Sequence, residues 1–154
     1  MKRVLVVMCA LSCTLILASC VDKEKQDMRK MEKNLRGYLE DDAFKNNAKV
    51  EFLELKVLSY FASNENQVDS ARMLGNEAKL KVSKERGWPT EKYEYIDAEL
   101  RGKIAGRNHP KECYFANYYI KATYTYGSGY SENVMEERII AFDSECNVMP
   151  LLLE

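Results

Sequence analysis

The sequence predicts an α+β fold, in which an N-terminal helix and further helices pack on a curved antiparallel sheet of about four strands. Apolar residues recur at helical spacing in three stretches before residue 105. The C-terminal third is instead rich in β-forming residues and contains a Gly-Ser-Gly turn. The chain has 154 residues, of which 46% are hydrophobic and 31% charged. That length and composition predict one ordinary hydrophobic core and exclude a two-domain enzyme.

The first twenty residues differ in composition from the rest. Lys2 and Arg3 precede an almost wholly apolar stretch, residues 4–18. As a helix this stretch would rise roughly 22 Å, which is short of the roughly 30 Å hydrocarbon core of a bilayer. A buried N-terminal helix would need a polar side, which residues 4–18 lack. We therefore interpret the stretch as the hydrophobic region of a secretory signal.

The apolar stretch ends in Leu17-Ala18-Ser19-Cys20. This run resembles the lipobox of bacterial lipoproteins, in which small residues precede a cysteine. The resemblance implies that the Cys20 thiolate receives a diacylglycerol and that residues 1–19 are then removed. Two or three acyl chains anchor a protein stably, whereas one is marginal. Plain secretion with cleavage at a similar place is the alternative, and residues 20–154 form the predicted domain in either case.

The residues after Cys20 bear on the membrane that the protein reaches. In Gram-negative lipoproteins, an Asp directly after the lipidated Cys resembles an inner-membrane retention signal, and Val21 stands there instead. The sequence therefore favours the outer membrane of a Gram-negative cell envelope. Asp22 and Glu24 are similar to acidic signals for the outer surface, but Lys23 and Lys25 dilute them. The choice between the periplasmic and the surface face stays open.

The charge balance excludes one class of partner. Removal of residues 1–19 takes away Lys2 and Arg3, which leaves 21 basic and 24 acidic side chains and a net charge of −3. A slightly acidic domain is neither a polybasic nucleic-acid binder nor attracted to anionic lipid. The expected partners are the membrane, through the lipid anchor, and an envelope protein or a second copy of the chain.

Two of the five cysteines remain after Cys9 and Cys13 leave with the signal and Cys20 is acylated. An even pair in an oxidising compartment predicts a disulfide between Cys113 and Cys146, with two buried thiols as the alternative. The 34-residue loop would contribute roughly 3–4 kcal/mol by constraining the unfolded chain. The chain has one histidine and no Cys-x-x-Cys, so we expect no metal site and no cofactor.

The first half of the predicted domain alternates between helix and strand. Residues 22–42 have a helical apolar pattern, and residues 50–61 are rich in β-forming residues. Adjacent apolar pairs at 52–53 and 57–58 break the strand alternation, which predicts either a bulged strand or one covered on both faces.

Residues 64–104 are predicted to hold two further helices. Asn64 is expected to cap the first of them, with Gln67 in the capping-box position and Gly87 just past its end. Thr90 is expected to cap a shorter helix that reaches Ile104. The apolar face predicted for the longer helix consists of Val68, Ala71, Leu74, Ala78 and Val82.

The C-terminal third predicts a three-stranded meander. Residues 113–126 and 130–142 flank Gly127-Ser128-Gly129, which is typical of a β-hairpin. Pairing across this turn places Cys113 opposite Asp143, within reach of Cys146. Residues 148–153 are predicted to return as a last strand, with Pro150 at an edge.

The order of these elements resembles the cystatin-like roll, the fold shared by cystatins, ketosteroid isomerase and nuclear-transport-factor-like domains. The resemblance covers roughly residues 22–154 and concerns element order alone. It implies no catalytic residues, because no general-base Asp or oxyanion Tyr position matches.

Three functions are compatible with this sequence. The predicted one is a non-enzymatic envelope lipoprotein that interacts with a protein or has a structural role. The alternatives are a small-ligand carrier that uses the space between helix and sheet, and, less favoured, a pocket enzyme. The candidate ligand-binding or partner-binding residues are Tyr114, Tyr118, Tyr124, Glu136 and Arg138. If they line one enclosed concavity, a carrier is favoured, whereas a concavity filled by aliphatic side chains favours an interaction or structural role.

Overall fold

The computed structural model describes the backbone of residues 2–151 and the side chains of residues 23–151. These residues form three helices packed against a curled four-stranded antiparallel sheet, an α+β arrangement consistent with the cystatin-like roll. The strand order is β1-β2-β3-β4. In chain order the elements are α1 (Lys2–Lys45), β1 (Ala48–Asn64), α2 (Glu65–Arg86), α3 (Glu91–Gly106), β2 (Glu112–Tyr126), β3 (Ser131–Asp143) and β4 (Val148–Met149). The predicted fold class is confirmed.

Helix α1 fills the concave face of the sheet. Met31 and Leu35 have no exposed surface, and Leu39 is buried one turn further along. The spacing of three and four residues puts these side chains on one stripe of the helix. They pack against the inward-facing residues of all three long strands, which are Val57, Ala116, Tyr118, Ile120, Ala122, Ile140 and Phe142. This contact forms the main hydrophobic core.

Strand β1 curves around α1 with the help of two bulges. Its register against β2 shifts between Phe52 and Glu54 and again between Val57 and Ser59. The extra residues, Leu53 and Leu58, are exposed. A bulge bends a strand and increases its twist, which lets β1 follow the helix. The sequence prediction of a bulged strand is therefore confirmed at both apolar pairs.

The hairpin of β2 and β3 has the predicted register. Tyr126 pairs with Tyr130 through a 2.8 Å backbone hydrogen bond, and Cys113 lies opposite Asp143. Gly129 has a φ of +83°, a conformation that favours glycine. A Cβ atom at Gly127 would lie 2.3 Å from the side-chain nitrogen of Asn47. The hairpin tip thus packs directly on the turn between α1 and β1.

The predicted ends of α2 are confirmed with one difference. The Asn64 side chain accepts a hydrogen bond from the Gln67 backbone N–H at 3.1 Å. Gln67 accepts from the Ser63 hydroxyl at 2.7 Å, so the reciprocal half of a capping box is not formed. Gly87 adopts the left-handed conformation, and Trp88 donates its N–H to Ser83 at 2.9 Å, which closes the helix end.

The face that α2 buries differs from the predicted apolar stripe. Val68 is buried, but Leu74 is 69% exposed and Val82 is 41% exposed. Asp69 and Asn76 are buried instead. The buried polar side chains of α2 find hydrogen-bond partners on neighbouring segments, as buried polar groups require.

The buried carboxylate of Asp69 organises these polar contacts. Arg72 and Arg107 both donate to it, at 2.9 and 3.0 Å. Arg72 also donates to the Pro150 carbonyl oxygen at 2.7 Å, and Asn76 donates to the Tyr93 carbonyl at 2.7 Å. These bonds join α2 to the C-terminal segment and to α3.

Two terminal features differ from the sequence prediction. Strand β4 contains only Val148 and Met149, because the next carbonyl bonds to Arg72 rather than to the sheet. Residues 152 and 153 of the predicted last strand lie outside the described residues. Thr90 precedes α3 but makes no side-chain capping bond, since its own backbone is already helical.

Replacement of Glu32 by Ala is expected to lower the free energy of unfolding by about 1–3 kcal/mol. The Val57 backbone N–H, which the second bulge frees from the ladder, donates to the Glu32 carboxylate at 3.0 Å. Val57 is buried, so the substitution leaves this donor without a partner. Urea unfolding measures the change, with Glu40→Ala on the exposed side of α1 as the matched control. Equal stability of the two variants would contradict the role of Glu32.

Candidate functional site

The predicted secretory signal and the predicted lipidation of Cys20 concern residues whose side chains lie outside the described part of the chain. Cys20 lies on the helical backbone of α1, but its side chain is not among those described. No helix in the described part is long and apolar enough to cross a membrane. The lipidation of Cys20 therefore stays a prediction.

Cys113 and Cys146 are both buried free thiols in the structure, and the disulfide between them stays a prediction. The register brings them close, since the Cys146 N–H donates to the Asp143 carbonyl opposite Cys113. However, Cys113 packs with Val68 in one hydrophobic cluster, whereas Cys146 packs in the main core. The reason is strand alternation, which directs Cys113 away from the face that α1 covers. Burial raises the pKa of both thiols, which disfavours the reactive thiolate.

Three of the five candidate residues meet on the inner face of β2 and β3. Tyr118 and Arg138 are direct cross-strand partners, and Arg138 forms an ion pair with Glu136. Burial raises the pKa of Tyr118, and the neighbouring guanidinium of Arg138 opposes that shift. Glu136 and Arg138 thus lie on the inner face and pair with each other, but their side chains remain 41% and 55% exposed.

Tyr118 and Arg138 border an open groove, which we call the Arg138 groove, whereas Glu136 does not line it. It has a volume of about 350 Å³. Its lining residues come from α1, α2, β2, β3 and the C-terminal segment: Tyr38, Leu39, Asp42, Lys79, Tyr118, Arg138, Ile139, Ile140, Pro150 and Leu151. Tyr118 is a buried member of this lining.

The other two candidate residues do not line this groove. Tyr124 packs against the main core nearer the hairpin, and burial raises its pKa. Tyr114 lies at the opposite end of β2, where its ring meets that of Tyr60 edge-on with 5.5 Å between centroids. The five candidates therefore do not line one enclosed concavity.

Tyr114 belongs to a second opening, which we call the N-terminal cleft. It has a volume of about 390 Å³ and is lined by Lys23, Glu24, Asp27, Tyr60, Phe61, Ala62 and Tyr114. The Tyr60 hydroxyl donates to the Asp27 carboxylate at 3.3 Å, which ties the start of the described part of α1 to the end of β1. Sequence analysis did not identify Asp27, Tyr60 or Phe61, because only the tertiary fold brings α1 beside this strand end.

A third opening, the hairpin pocket, lies at the other end of the sheet. Its volume is about 440 Å³, and its lining residues are Phe44, Asn47, Ala48, Lys49, Thr125, Tyr126 and Gly127. Tyr126 stacks on Tyr130 with ring centroids 5.9 Å apart. Sequence analysis identified the hairpin that forms this pocket but none of its residues as candidates.

The described residues contain no cluster of three or more His, Cys, Asp or Glu side chains that could hold a metal ion. The residues that border the Arg138 groove and the N-terminal cleft are aromatic, apolar or charged, and their charges are paired in part. Such openings are suited to binding by contact and hydrogen bonding.

Tyr60 is expected to ionise well above the ordinary range. Burial, followed by the nearby negative charge of Asp27, raises its pKa from 10.0 to about 12. Because the folded value exceeds the unfolded one, Tyr60 contributes stability that is complete below about pH 10 and is lost as the pH rises toward 12. Tyrosinate absorbance measures the titration, and Asp27→Asn should lower the pKa of Tyr60. Asp41→Asn, which leaves Tyr60 untouched, is the control, and an unchanged titration in Asp27→Asn would contradict the contact.

Comparison of the chain with protein-family models, with curated proteins and with solved structures gives no match.

Proposed function

We propose that this chain is a lipoprotein of the cell envelope of a Gram-negative bacterium, anchored by acyl chains on Cys20, with the outer membrane favoured. Its domain is a non-enzymatic module for protein interaction or structural support. The lipobox-like run before Cys20 and the basic, apolar start of the chain support the anchor.

The filling of the concave face by α1 carries the proposal for the domain. A carrier would need an enclosed space between helix and sheet. Met31 and Leu35 occupy that space without any exposed surface and contact inward-facing residues of β2 and β3. The openings that remain lie at the surface and are bordered by separate sets of residues. This arrangement favours contact with another macromolecule over enclosure of a small ligand.

The convex face of the sheet offers a surface for such contact. Met135 and Ile139 of β3 are 69% and 61% exposed. Polar pairs surround them, among which Thr123 donates to Asn133 at 2.8 Å. Apolar side chains within a polar rim are characteristic of protein interfaces. In the described part of the chain, β3 pairs with β4 only at Ala141 and Phe142, so the outer edge of β3 before residue 141 has no strand beside it.

Replacement of Cys20 by Ser is expected to release the protein from the membrane fraction, because the acyl acceptor is lost. Cys13→Ser is the matched control, since Cys13 lies within the apolar stretch and outside the lipobox-like run. Fractionation of the native envelope followed by immunoblotting measures the distribution of each variant. Membrane association of Cys20→Ser equal to that of the control would refute the anchor.

Replacement of Met135 by Glu is expected to abolish recovery of a stoichiometric protein partner, because it places a charge among the exposed apolar side chains of the convex face. The measurement is affinity purification of the acylated protein from its native envelope with quantitative mass spectrometry. Leu74→Glu, which alters an equally exposed residue on α2, is the control. Co-purified small molecules without any partner would instead favour the carrier.

A further inference from the structure

We propose that the end of the domain around Phe61 lies in the lipid headgroup layer, so that the domain is seated on the membrane in one orientation. The inference rests on the proposed acyl anchor at Cys20 and adds the membrane-contacting surface and its chemistry. The contacting surface consists of Tyr60, Phe61 and Ala62 at the end of β1, together with Tyr114 at the start of β2.

The short segment between Cys20 and Lys23 brings this surface to the membrane. Lys23 lines the N-terminal cleft together with Phe61, and it follows Cys20 by three residues. Three residues rise about 4.5 Å as a helix and span at most about 11 Å when extended. The acyl chains place Cys20 at the bilayer surface, where the interfacial layer is roughly 5–7 Å thick on each side. Lys23 and the cleft beside it therefore stay at or near the headgroups in either conformation.

The part of α1 that follows Lys23 is held to the domain and does not act as a loose tether. The Tyr60 hydroxyl bonds to Asp27, and Met28 packs against the main core one residue later. The described part of α1 then stays helical to Lys45. An anchor at Cys20 thus fixes which end of the domain faces the bilayer.

The surface chemistry at this end suits a bilayer interface. Phe61 is 60% exposed and stacks on Phe115 with 5.6 Å between ring centroids. Tyr60 and Tyr114 add rings that carry a polar hydroxyl. Aromatic side chains with an apolar body favour the headgroup level of membranes.

Exposed aromatic side chains alone would not identify the Phe61 end as the one that faces the membrane, because the hairpin end also has exposed aromatic rings. Tyr130 is 62% exposed, and Phe44 is more exposed still. However, Phe44 follows Lys23 by 21 residues of α1, a rise of about 32 Å. The hairpin end therefore lies at the opposite end of α1 from the proposed anchor.

The charges at the seated end predict which lipids matter. Lys23 stands next to Glu24, and Lys111 next to Glu112. The Lys111 backbone N–H also donates to the Glu65 carboxylate at 3.1 Å. Because positive and negative side chains alternate here, the seating depends on apolar contact and not on anionic lipid.

Site-specific tryptophan fluorescence tests the seating. Trp88 is the only tryptophan of the chain, so Phe61→Trp in a Trp88→Phe background reports on one position. The acylated full chain is reconstituted into phosphatidylcholine vesicles with bromine on shallow acyl-chain carbons. Trp emission at position 61 is expected to fall roughly twofold, since an interfacial ring meets the quencher. Tyr130→Trp in the same background is the matched control and is expected to keep its emission.

Flotation of the same vesicles distinguishes a failure of the proposed seating around Phe61 from a failure of the proposed anchor at Cys20. Protein that floats but shows equal emission loss at positions 61 and 130 overturns the seating and leaves the anchor standing. Protein that does not float overturns both. Ala62→Trp, an exposed position of the same cleft, replaces Phe61→Trp if circular dichroism shows that the latter is unfolded. Emission loss that requires anionic lipid would also contradict the proposal.

Discussion

Burial of the apolar stripe of α1 in the concave face of the sheet is the contact on which the rest of the structure depends. Met31, Leu35 and Leu39 bring the three long strands around one helix. The curvature that this requires is built into β1 by two bulges, and a carboxylate of the same helix satisfies the Val57 N–H at the second bulge. Packing and hydrogen bonding thus select the same position of α1.

A second, polar interaction holds α2 and α3, the helices outside the concave face, in place. The buried Asp69 carboxylate receives hydrogen bonds from Arg72 and Arg107, and Arg72 continues to the Pro150 carbonyl. Removal of one partner from such a group is costly because a buried charge is left uncompensated. No buried side-chain polar atom in the described part of the chain lacks a hydrogen-bond partner. The concave face is therefore held by apolar packing, whereas hydrogen-bonded ion pairs join a smaller apolar cluster in holding the outer layer.

The proposed function follows from the double role of α1. The helix fills the space that a carrier would need, and its N-terminal end leads to the proposed anchor. Glu136 and Arg138 pair with each other beside Tyr118, and Arg138 borders an open groove, so these residues do not form an enclosed site. The contact surfaces at the convex face and around Phe61 are therefore the means by which we propose that the domain acts.

Local rules were sufficient for the hairpin register, the two bulges of β1 and the Gly87 end of α2, because turn residues and alternation act over a few neighbours. The sequence alone also determined the lipobox-like run at Cys20 and the five candidate residues. Only the tertiary structure decided that Cys113 and Cys146 pack in separate clusters, that α2 buries Asp69 in place of Leu74, and that Phe61 lies beside the start of α1. These outcomes depend on which face of a strand or helix meets a segment distant in the chain, and no short-range pattern specifies that choice.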